Sequence, residues 1–257
     1  MLSLTSRHSR SAAGVAHSGM KTETRFTIRR ADQRGHARHG WLESRHTFSF
    51  ADYYDPEHMG FRSLRVLNDD RVAPLGGFPT HPHRDMEIFS YVLAGELAHR
   101  DSMGNQRTLR PGEVQLMSAG YGITHSEFNP SSDREARFLQ VWILPGERGL
   151  TPRYTDWNPD DALADAPKTL LISPDGRNGS ATIHQDAEIW RLRLEPGEEL
   201  THIVGPGRGI WLHLVRGSLA VGGEELQAGD AASTDDPGPV DLRAGDESVE
   251  ALLFDLG

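Results

Sequence analysis

Apolar and polar residues alternate over short runs along most of the chain, and turn-forming residues separate these runs. The alternation has a period of two, which is typical of strands with one buried face. The pattern therefore predicts a fold built from strands rather than long helices. We predict a loop at residues 34–45 and strands at residues 26–29, 46–50, 64–68, 88–93, 96–100, 107–109, 114–117 and 138–144.

One order of elements occurs twice: a strand, a glycine turn, a second strand and a turn made by glycine and an acidic residue. Residues 91–98 resemble residues 213–220, and residues 109–113 resemble residues 226–230. A tandem duplication of one antiparallel barrel unit accounts for this repetition. We therefore predict an all-β chain with two antiparallel β-barrels of the jelly-roll type.

The repeat gives a domain plan. We predict a first barrel at residues 24–145, a linker at 146–168 and a second barrel at 169–257. The linker contains Pro152, Pro159 and Pro167, with a short helix near residues 159–164. Residues 1–23 are predicted to be a disordered tail. Their basic, serine-rich character is also typical of transit peptides, and Met20 is an alternative start.

Composition narrows the class of protein. The 27 Gly and 15 Pro suit many strands joined by turns, and the net charge of -10 argues against direct binding to nucleic acid. Cysteine is absent, which excludes disulfides, thiol catalysis and thiolate metal sites and fits a cytoplasmic protein. No apolar run approaches the roughly 20 residues that span a bilayer.

Two pairs of metal-competent side chains stand at i and i+2: His81 with His83, and His125 with Glu127. In a strand, such residues point to the same face, and their Cα atoms lie about 6.6 Å apart. Three imidazoles and one carboxylate suit a mononuclear site for Fe, Mn, Ni, Cu or Zn. Pro82 removes a ladder hydrogen bond, so we expect this stretch on an edge strand or at a bulge.

Spacing alone does not decide which carboxylate completes the site. Strand alternation would also put Asp85 and Glu87 on the face of the first histidine pair, where Glu87 could replace Glu127 as the ligand. Otherwise Asp85 and Glu87 would orient an imidazole or lie on a solvated rim. We predict that His99 and Asp101, near a hairpin turn, are surface residues.

The second copy lacks the two pairs. Aligning Gly95 with Gly217 puts Ile203 and Gly205 where the first pair stands, with His202 as the nearby imidazole. Aligning Gly112 with Gly229 puts Leu242 and Ala244 where the second pair stands. One metal site per chain is therefore expected.

Four motifs together resemble those of the pirin family, within the cupin superfamily. They cover residues 46–53 (HTFSFADY), 81–87 (HPHRDME), 110–115 (RPGEVQ) and 119–127 (AGYGITHSE). The resemblance is close over residues 25–145 and loose over the second half. Ser118 stands where most cupins have proline, as is general among pirins.

The resemblance implies a bicupin with one divalent metal ion in the first barrel, held by His81, His83, His125 and Glu127. The expected ion is Fe(II), with Mn, Ni, Co, Cu or Zn as alternatives. Bacterial pirins of this type are similar to quercetin 2,3-dioxygenases. The implied activity is cleavage of a flavonol by dioxygen with release of carbon monoxide, and Glu127 would be both ligand and general base.

Two other hypotheses stay open. Related nuclear pirins act as iron-dependent cofactors of transcription factors, which would make this chain a non-catalytic redox sensor with a protein partner. A metal-free barrel with a degenerate site is the third hypothesis. We expect a monomer with no membrane contact.

Overall fold

The computed structural model describes residues 24–158 and 165–257, and these residues form an almost entirely β structure. Two short 3-10 turns, Ala31–Gln33 and Arg177–Gly179, interrupt it. In the described residues, no helix is long and apolar enough to cross a membrane. The predicted tail at 1–23 and the predicted helix at 159–164 lie outside the described residues.

Strands follow one another at short intervals, as the turn-rich sequence predicts. The strands up to residue 158 are β1 (Thr27–Arg29), β2 (Gly35–Arg38), β3 (Leu42–His46), β4 (Leu64–Val72), β5 (Gly77–His83), β6 (Glu87–Ala94), β7 (Leu97–Asp101), β8 (Gln106–Leu109), β9 (Val114–Ser118), β10 (Ile123–Phe128), β11 (Ala136–Ile143) and β12 (Arg153–Trp157). The strands after residue 165 are β13 (Lys168–Ser173), β14 (Ala181–Thr182), β15 (Ala187–Leu194), β16 (Glu199–Val204), β17 (Gly209–Arg216), β18 (Ser218–Val221), β19 (Glu224–Gln227), β20 (Ala231–Thr234), β21 (Gly238–Ala244) and β22 (Val249–Leu256).

Each half forms one seven-stranded and one four-stranded sheet, with matching strand orders. The first half has the orders β12-β9-β6-β11-β4-β3-β2 and β5-β10-β7-β8. The second has β1-β20-β17-β22-β15-β13-β14 and β16-β21-β18-β19. The pairings are antiparallel except that of β13 with β14. The prediction of an all-β, duplicated jelly-roll chain is confirmed, with each unit made of two sheets rather than one closed barrel.

The two units exchange their terminal strands. β1 precedes the first unit in sequence but pairs with β20 of the second, with Ile28 opposite Ala232. β12 lies inside the predicted linker but pairs with β9 of the first unit, with Thr155 opposite Leu116. The predicted boundaries did not include this exchange, because both segments are short and their few apolar residues give no sign of which sheet they join.

Residues 34–45 were predicted to be a loop and instead contain the hairpin of β2 and β3. Its charged residues face outward, so the segment lacks the apolar alternation by which other strands were recognised. The prediction of a strand at 46–50 was wrong, because the strand lies earlier in the chain. His46 ends β3, and the chain then bends until Phe50 bridges Tyr53.

The two large sheets pack against each other through a shared apolar core. Alternate residues of β6 and β11 in the first unit meet alternate residues of β17 and β22 in the second. The aromatic contacts include Phe89 with Phe254, at 6.2 Å between ring centroids, and Phe48 with Trp211, at 4.9 Å. The opposite face of the large sheet in the first unit points into that unit's interior, where the site lies.

Candidate metal centre

Three imidazoles converge inside the first unit. His81 and His83 lie on β5, and His125 lies on the adjacent strand β10, directly opposite His81. The ring centroids are 4.5 Å apart for His81 and His125, 4.8 Å for His81 and His83, and 4.9 Å for His83 and His125. The two Nε2 atoms of His81 and His125 are 3.1 Å apart.

The local strand geometry explains why the histidines meet. β5 is an edge strand of its sheet, so the missing N–H of Pro82 costs no ladder bond on the open side. The register between β5 and β10 shifts by one residue between His125 and Glu127, which marks a β-bulge. The expectation that this stretch lies on an edge or at a bulge is therefore confirmed on both counts.

Neighbouring groups fix the orientation of two rings. Nδ1 of His81 lies 2.8 Å from the carbonyl oxygen of Pro79 and donates to it, which leaves the lone pair on Nε2 for a ligand. The ring of His83 stands edge-on to Trp142, with 4.9 Å between centroids. Such contacts hold metal-binding imidazoles in one tautomer and one orientation.

The environment keeps two of the imidazoles neutral. Burial, together with the nearby His125 and His81, lowers the pKa of His83 to about 4. Burial lowers the pKa of His125 to about 3, again with a contribution from His81. A neutral imidazole is the form that binds a metal ion, so the site is ready for coordination at neutral pH.

Glu127 lies in a polar layer of the interior and is 1% exposed. Its Oε1 accepts hydrogen bonds from Ser90 Oγ at 2.8 Å and Gln115 Nε2 at 2.7 Å, and its Oε2 accepts one from Gln140 Nε2 at 2.6 Å. Its carboxylate lies within 4.8 Å of ligand atoms of His125 and His99, in a second group that shares His125 with the three-histidine cluster.

His99 is the residue that the sequence placed wrongly. It was predicted to be a surface residue, but it is 1% exposed, and its ring centroid lies 5.3 Å from that of His125. Asp101 is also buried and contacts His99 Nε2 at 3.5 Å. Leu97, His99 and Asp101 are the alternate, buried residues of β7. The period of two therefore predicts that His99 is buried with Leu97, but the nearby hairpin turn was taken to indicate exposure.

The other carboxylates of the first motif lie elsewhere. The chain bends after His83, with Asp85 at φ 49°, so strand alternation does not continue to Glu87. Asp85 accepts a hydrogen bond from the backbone N–H of Gly149. Glu87 begins β6 on its outward face, where its Oε2 accepts from Ser118 Oγ at 2.7 Å and its Oε1 lies 3.5 Å from His184 Nδ1. Glu87 belongs to neither group around His125.

The strand register corrects the alignment of the second unit. Val240 on β21 is opposite His202, as His125 is opposite His81 in the first unit. Leu242 is opposite Val221, as Glu127 is opposite His99. Thus His202, and not Ile203, stands at the position of His81. Ile203 is 64% exposed, because a shift of one residue moves a side chain to the other face. Leu242 stands at the position of Glu127 rather than that of His125.

The equivalent position in the second unit has another use. His202 donates from Nε2 to Asp255 at 2.8 Å, and its Nδ1 accepts from Lys168 Nζ at 2.9 Å. Both ring nitrogens are therefore engaged. Among the described residues, the two clusters of metal-binding side chains both lie in the first unit.

The donor set of the first unit fits a metal ion. Three imidazoles, two of them held neutral, face one another with a carboxylate beyond His125, and this combination suits Fe, Ni, Cu or Zn. Buried Nδ1 atoms of His99 and His125 find no hydrogen-bond partner among the described residues. A bound ion would also replace the contact between the Nε2 atoms of His81 and His125.

Comparisons with known proteins agree with the fold. Residues 27–143 match the family model "Pirin", and residues 170–256 match "Quercetinase C-terminal cupin domain". The chain is 48% identical over 229 residues to a protein named quercetin 2,3-dioxygenase from Escherichia coli (strain K12), covering 89% of this chain and 97% of that protein.

Solved structures give the same result. YhhW from Escherichia coli is 47% identical, covers 91% of this chain and 98% of its own, and superposes with a TM-score of 0.88. Bacterial pirin YhhW in complex with nickel(II), also from Escherichia coli, is 46% identical, with 90% and 99% of the chains covered and a TM-score of 0.86. The family match, the identity and the coverage together place the chain in the pirin family, among bacterial members named quercetin 2,3-dioxygenase.

Proposed function

We propose that this protein is a metal-dependent dioxygenase that cleaves a flavonol such as quercetin. The observation that carries the proposal is the cluster of His81, His83 and His125, with Glu127 next to His125 and a cavity that opens onto His83. A ligand set of this kind binds an ion and leaves positions for other ligands. Relatives at 48% and 42% identity carry the names quercetin 2,3-dioxygenase and putative quercetin 2,3-dioxygenase.

The space around the histidines suits a planar aromatic substrate. A cavity of about 490 Å³ is lined by residues of β5 and the loop before β10, including Pro82, His83 and Ile123. A second cavity of about 480 Å³ is lined by aromatic side chains, among them Phe50 and Phe78. Phe78 contacts the ring of His81, and Phe50 contacts Trp142, which contacts His83. Both cavities are in the size range of small-molecule sites.

We assign His81, His83, His125 and Glu127 as the residues that would hold the ion. The bound ion would supply Lewis acidity to the flavonol oxygens and a site for dioxygen. His83 and His125 are neutral at neutral pH, so these two imidazoles need no deprotonation before they bind.

Glu127 would also accept the proton of the flavonol 3-hydroxyl group. Each of its two oxygens already accepts at least one hydrogen bond, from Ser90, Gln115 or Gln140, so the carboxylate is held in one orientation. A base fixed in this way takes a proton with little reorganisation. Glu127→Gln is expected to lower the turnover number by about 100-fold or more, in the range of general-base catalysis.

Oxygen uptake with quercetin, measured together with carbon monoxide release, tests the activity. Metal-loaded protein is expected to consume dioxygen and release carbon monoxide. His125→Ala is expected to lose both the metal and the activity. His58→Ala is the matched control. It removes an imidazole that contacts Asp55 and belongs to neither cluster of metal-binding side chains, so this variant should keep both the metal and the activity. No turnover with Fe, Mn, Ni, Co or Cu would contradict the proposal.

We further propose Fe(II) as the resident ion. Imidazole and carboxylate ligands accept several divalent metals, so occupancy depends on availability as well as on affinity. Elemental analysis of protein purified without added metal measures the occupancy directly. One iron per chain is the expected result, and one nickel or zinc per chain would contradict this assignment while leaving the activity open to test.

A further inference from the structure

A third cavity, of about 550 Å³, lies at the seam between the two units and away from the three-histidine cluster. Four guanidinium groups line it, from Arg34, Arg45, Arg71 and Arg137. Three carboxylates also line it, from Asp32, Glu43 and Asp69. Among the residues that line the cavity, guanidinium groups outnumber carboxylates by one, although the chain as a whole has a net charge of -10. Arg71 also donates to Glu135, outside the lining, at 3.3 Å.

The floor of the cavity is the outward face of the large sheet in the first unit. Arg45 on β3 is paired with Asp69 on β4, and Arg71 on β4 is paired with Arg137 on β11. Asp69 and Arg71 are two residues apart on β4, and each lies directly opposite its partner, so the four side chains share one face. The intervening Asp70 points into the unit's interior, where it accepts a hydrogen bond from Ser44. The wall is made by the segment that carries Arg34 and by Ala228 of the second unit.

The carboxylates of the cavity do not satisfy all of its guanidinium groups. Arg137 donates two hydrogen bonds to the carboxylate of Asp69, from Nε at 2.9 Å and from Nη2 at 2.8 Å. Arg34 Nη2 is 3.9 Å from the same carboxylate, beyond hydrogen-bond distance. Arg45 Nη2 is likewise 3.9 Å from Glu43, which already accepts from His36 at 2.9 Å.

Arg34 is the most informative member of the cluster. Its side chain is 6% exposed, and its Nη1 finds no hydrogen-bond partner among the described residues. Burial lowers the pKa of Arg34, and the adjacent Arg45 and Arg137 also lower it, against the opposing effects of Asp69 and Asp230. A buried cation with too little negative charge around it is costly, and an anion in the cavity would remove that cost.

A glycine makes room for this arginine. A Cβ atom on Gly229 would lie 2.7 Å from Nη2 of Arg34. Gly229 also has φ +90°, in the turn between β19 and β20 of the second unit. The guanidinium group therefore lies against a backbone that only glycine provides here, with one unit supplying the cation and the other its support.

We infer that this cavity binds a small phosphate-bearing anion. Guanidinium groups bind phosphate oxygens through paired hydrogen bonds, and a cluster from three strands and a loop can surround a tetrahedral group. The general field of an acidic protein repels anions, so binding would depend on these side chains alone. The cavity has room for a small metabolite that carries one phosphate, as well as for inorganic phosphate.

Isothermal titration calorimetry of the full, metal-loaded chain tests the inference. The probes are inorganic phosphate and phenyl phosphate, titrated at constant ionic strength with chloride as the background anion. Saturable binding of either probe, with one site per chain, is the expected result. Tighter binding of phenyl phosphate would identify a phosphorylated organic molecule as the ligand class, and tighter binding of inorganic phosphate would identify the free anion.

Three variants locate the binding. Arg45→Gln removes a partly exposed guanidinium group and is expected to weaken binding by about tenfold, the effect of one charge-assisted hydrogen bond. Arg34→Gln should weaken binding at least as much. Because Arg34 is buried, the thermal stability of this variant is measured alongside its binding. Arg110→Gln is the matched control, since it removes the same charge from an exposed position next to Glu96.

Two results would overturn the inference. One is the absence of saturable binding of both probes to the unmodified chain. The other is equal affinity in Arg45→Gln and Arg110→Gln, which would mean that any binding lies elsewhere on the surface. Neither result depends on oxygen uptake, so the inference and the proposed dioxygenase activity stand or fall separately.

Discussion

At the scale of single residues, the site depends on side chains that never contact the three-histidine cluster. Ser90, Gln115 and Gln140 project from three strands of the large sheet and direct their donors at one buried carboxylate, that of Glu127. A buried charge is tolerated only where hydrogen bonds replace its hydration. These donors therefore stabilise the fold and orient the proposed ligand at the same time.

Gln140→Met tests this double role. The substitution keeps the volume of the side chain and removes the donor to Glu127 Oε2 at 2.6 Å. We expect the free energy of unfolding to fall by about 1–3 kcal/mol, the usual effect of leaving a buried polar group unsatisfied. Urea denaturation of metal-free protein measures it. Gln106→Met, on an exposed position of β8, is the control, and an equal effect in both variants would contradict the argument.

The burial of His213 leads us to predict that stability depends on pH through a group that is not a proposed metal ligand. It is fully buried between the units, and burial, together with the nearby Arg34, lowers its pKa from 6.5 to about 3. Between those values the unfolded chain binds a proton that the folded chain does not. The contribution of His213 to stability is therefore complete above about pH 6.5 and is lost as the pH falls towards 3.

The variant His213→Leu isolates that effect. The wild-type chain is expected to lose stability faster than the variant between pH 6 and pH 4, by up to about 1.4 kcal/mol per pH unit. Other groups, including Asp70, whose pKa burial raises to about 7, act equally in both proteins and cancel in the comparison. Urea denaturation of metal-free samples at several pH values measures the two slopes, and parallel slopes would disprove the assignment.

The period of two was enough to bring the three histidines together from the sequence. It could not decide between Glu127 and Glu87, because the choice depends on the bend at Asp85, which ends the alternation. His99 was missed because closeness to a turn was taken to mean exposure. The donors around Glu127 could not be foreseen, since they come from β6, β9 and β11 and meet only through strand pairing.

At the scale of elements, the exchange of terminal strands ties the units together. β1 covers one edge of the second unit, where Ile28 and Phe26 pack against that unit's own core. Arg29 on the same strand donates to Tyr53 of the first unit at 2.9 Å. An edge that loses such a strand exposes a row of backbone donors and acceptors to solvent.

Deletion of residues 1–29 is expected to raise hydrogen–deuterium exchange in β20, at Ala231–Thr234, while β10 at Ile123–Phe128 keeps its protection. The expected difference arises because β20 loses its partner on one side and β10 does not. Deletion of residues 1–23 leaves β1 in place and is the control. Unchanged exchange in β20 after the longer deletion would show that β1 contributes no protection.

The strand pattern was predicted well where apolar residues alternate and poorly where they do not. β4, β6, β7, β9 and β11 were found because one face of each packs in a core. The hairpin of β2 and β3 was missed because it is rich in charged residues, two of which, Glu43 and Arg45 on β3, line the cavity at the seam. β12 was missed because it is short and its side chains do not alternate between buried and exposed.

At the scale of the whole molecule, the shared core determines how the chain unfolds. The largest apolar cluster contains residues of both units, including Leu139 and Val141 of the first and Trp211 and Phe254 of the second. Exposing that surface in one unit exposes it in the other. Since the strand exchange adds to this connection, we expect the two units to unfold in one cooperative transition rather than two.

Differential scanning calorimetry of the chelated and the metal-loaded chain tests this cooperativity. A ligand that binds only the folded state stabilises it by about 2.7 kcal/mol at a concentration 100 times its dissociation constant. The ion binds in the first unit, but because the units unfold together, the whole transition should move to higher temperature. Trp211→Ala weakens the shared core and is expected to split the transition. Only the part belonging to the first unit would then respond to metal, whereas a split transition in the unmodified chain would show that the units are independent.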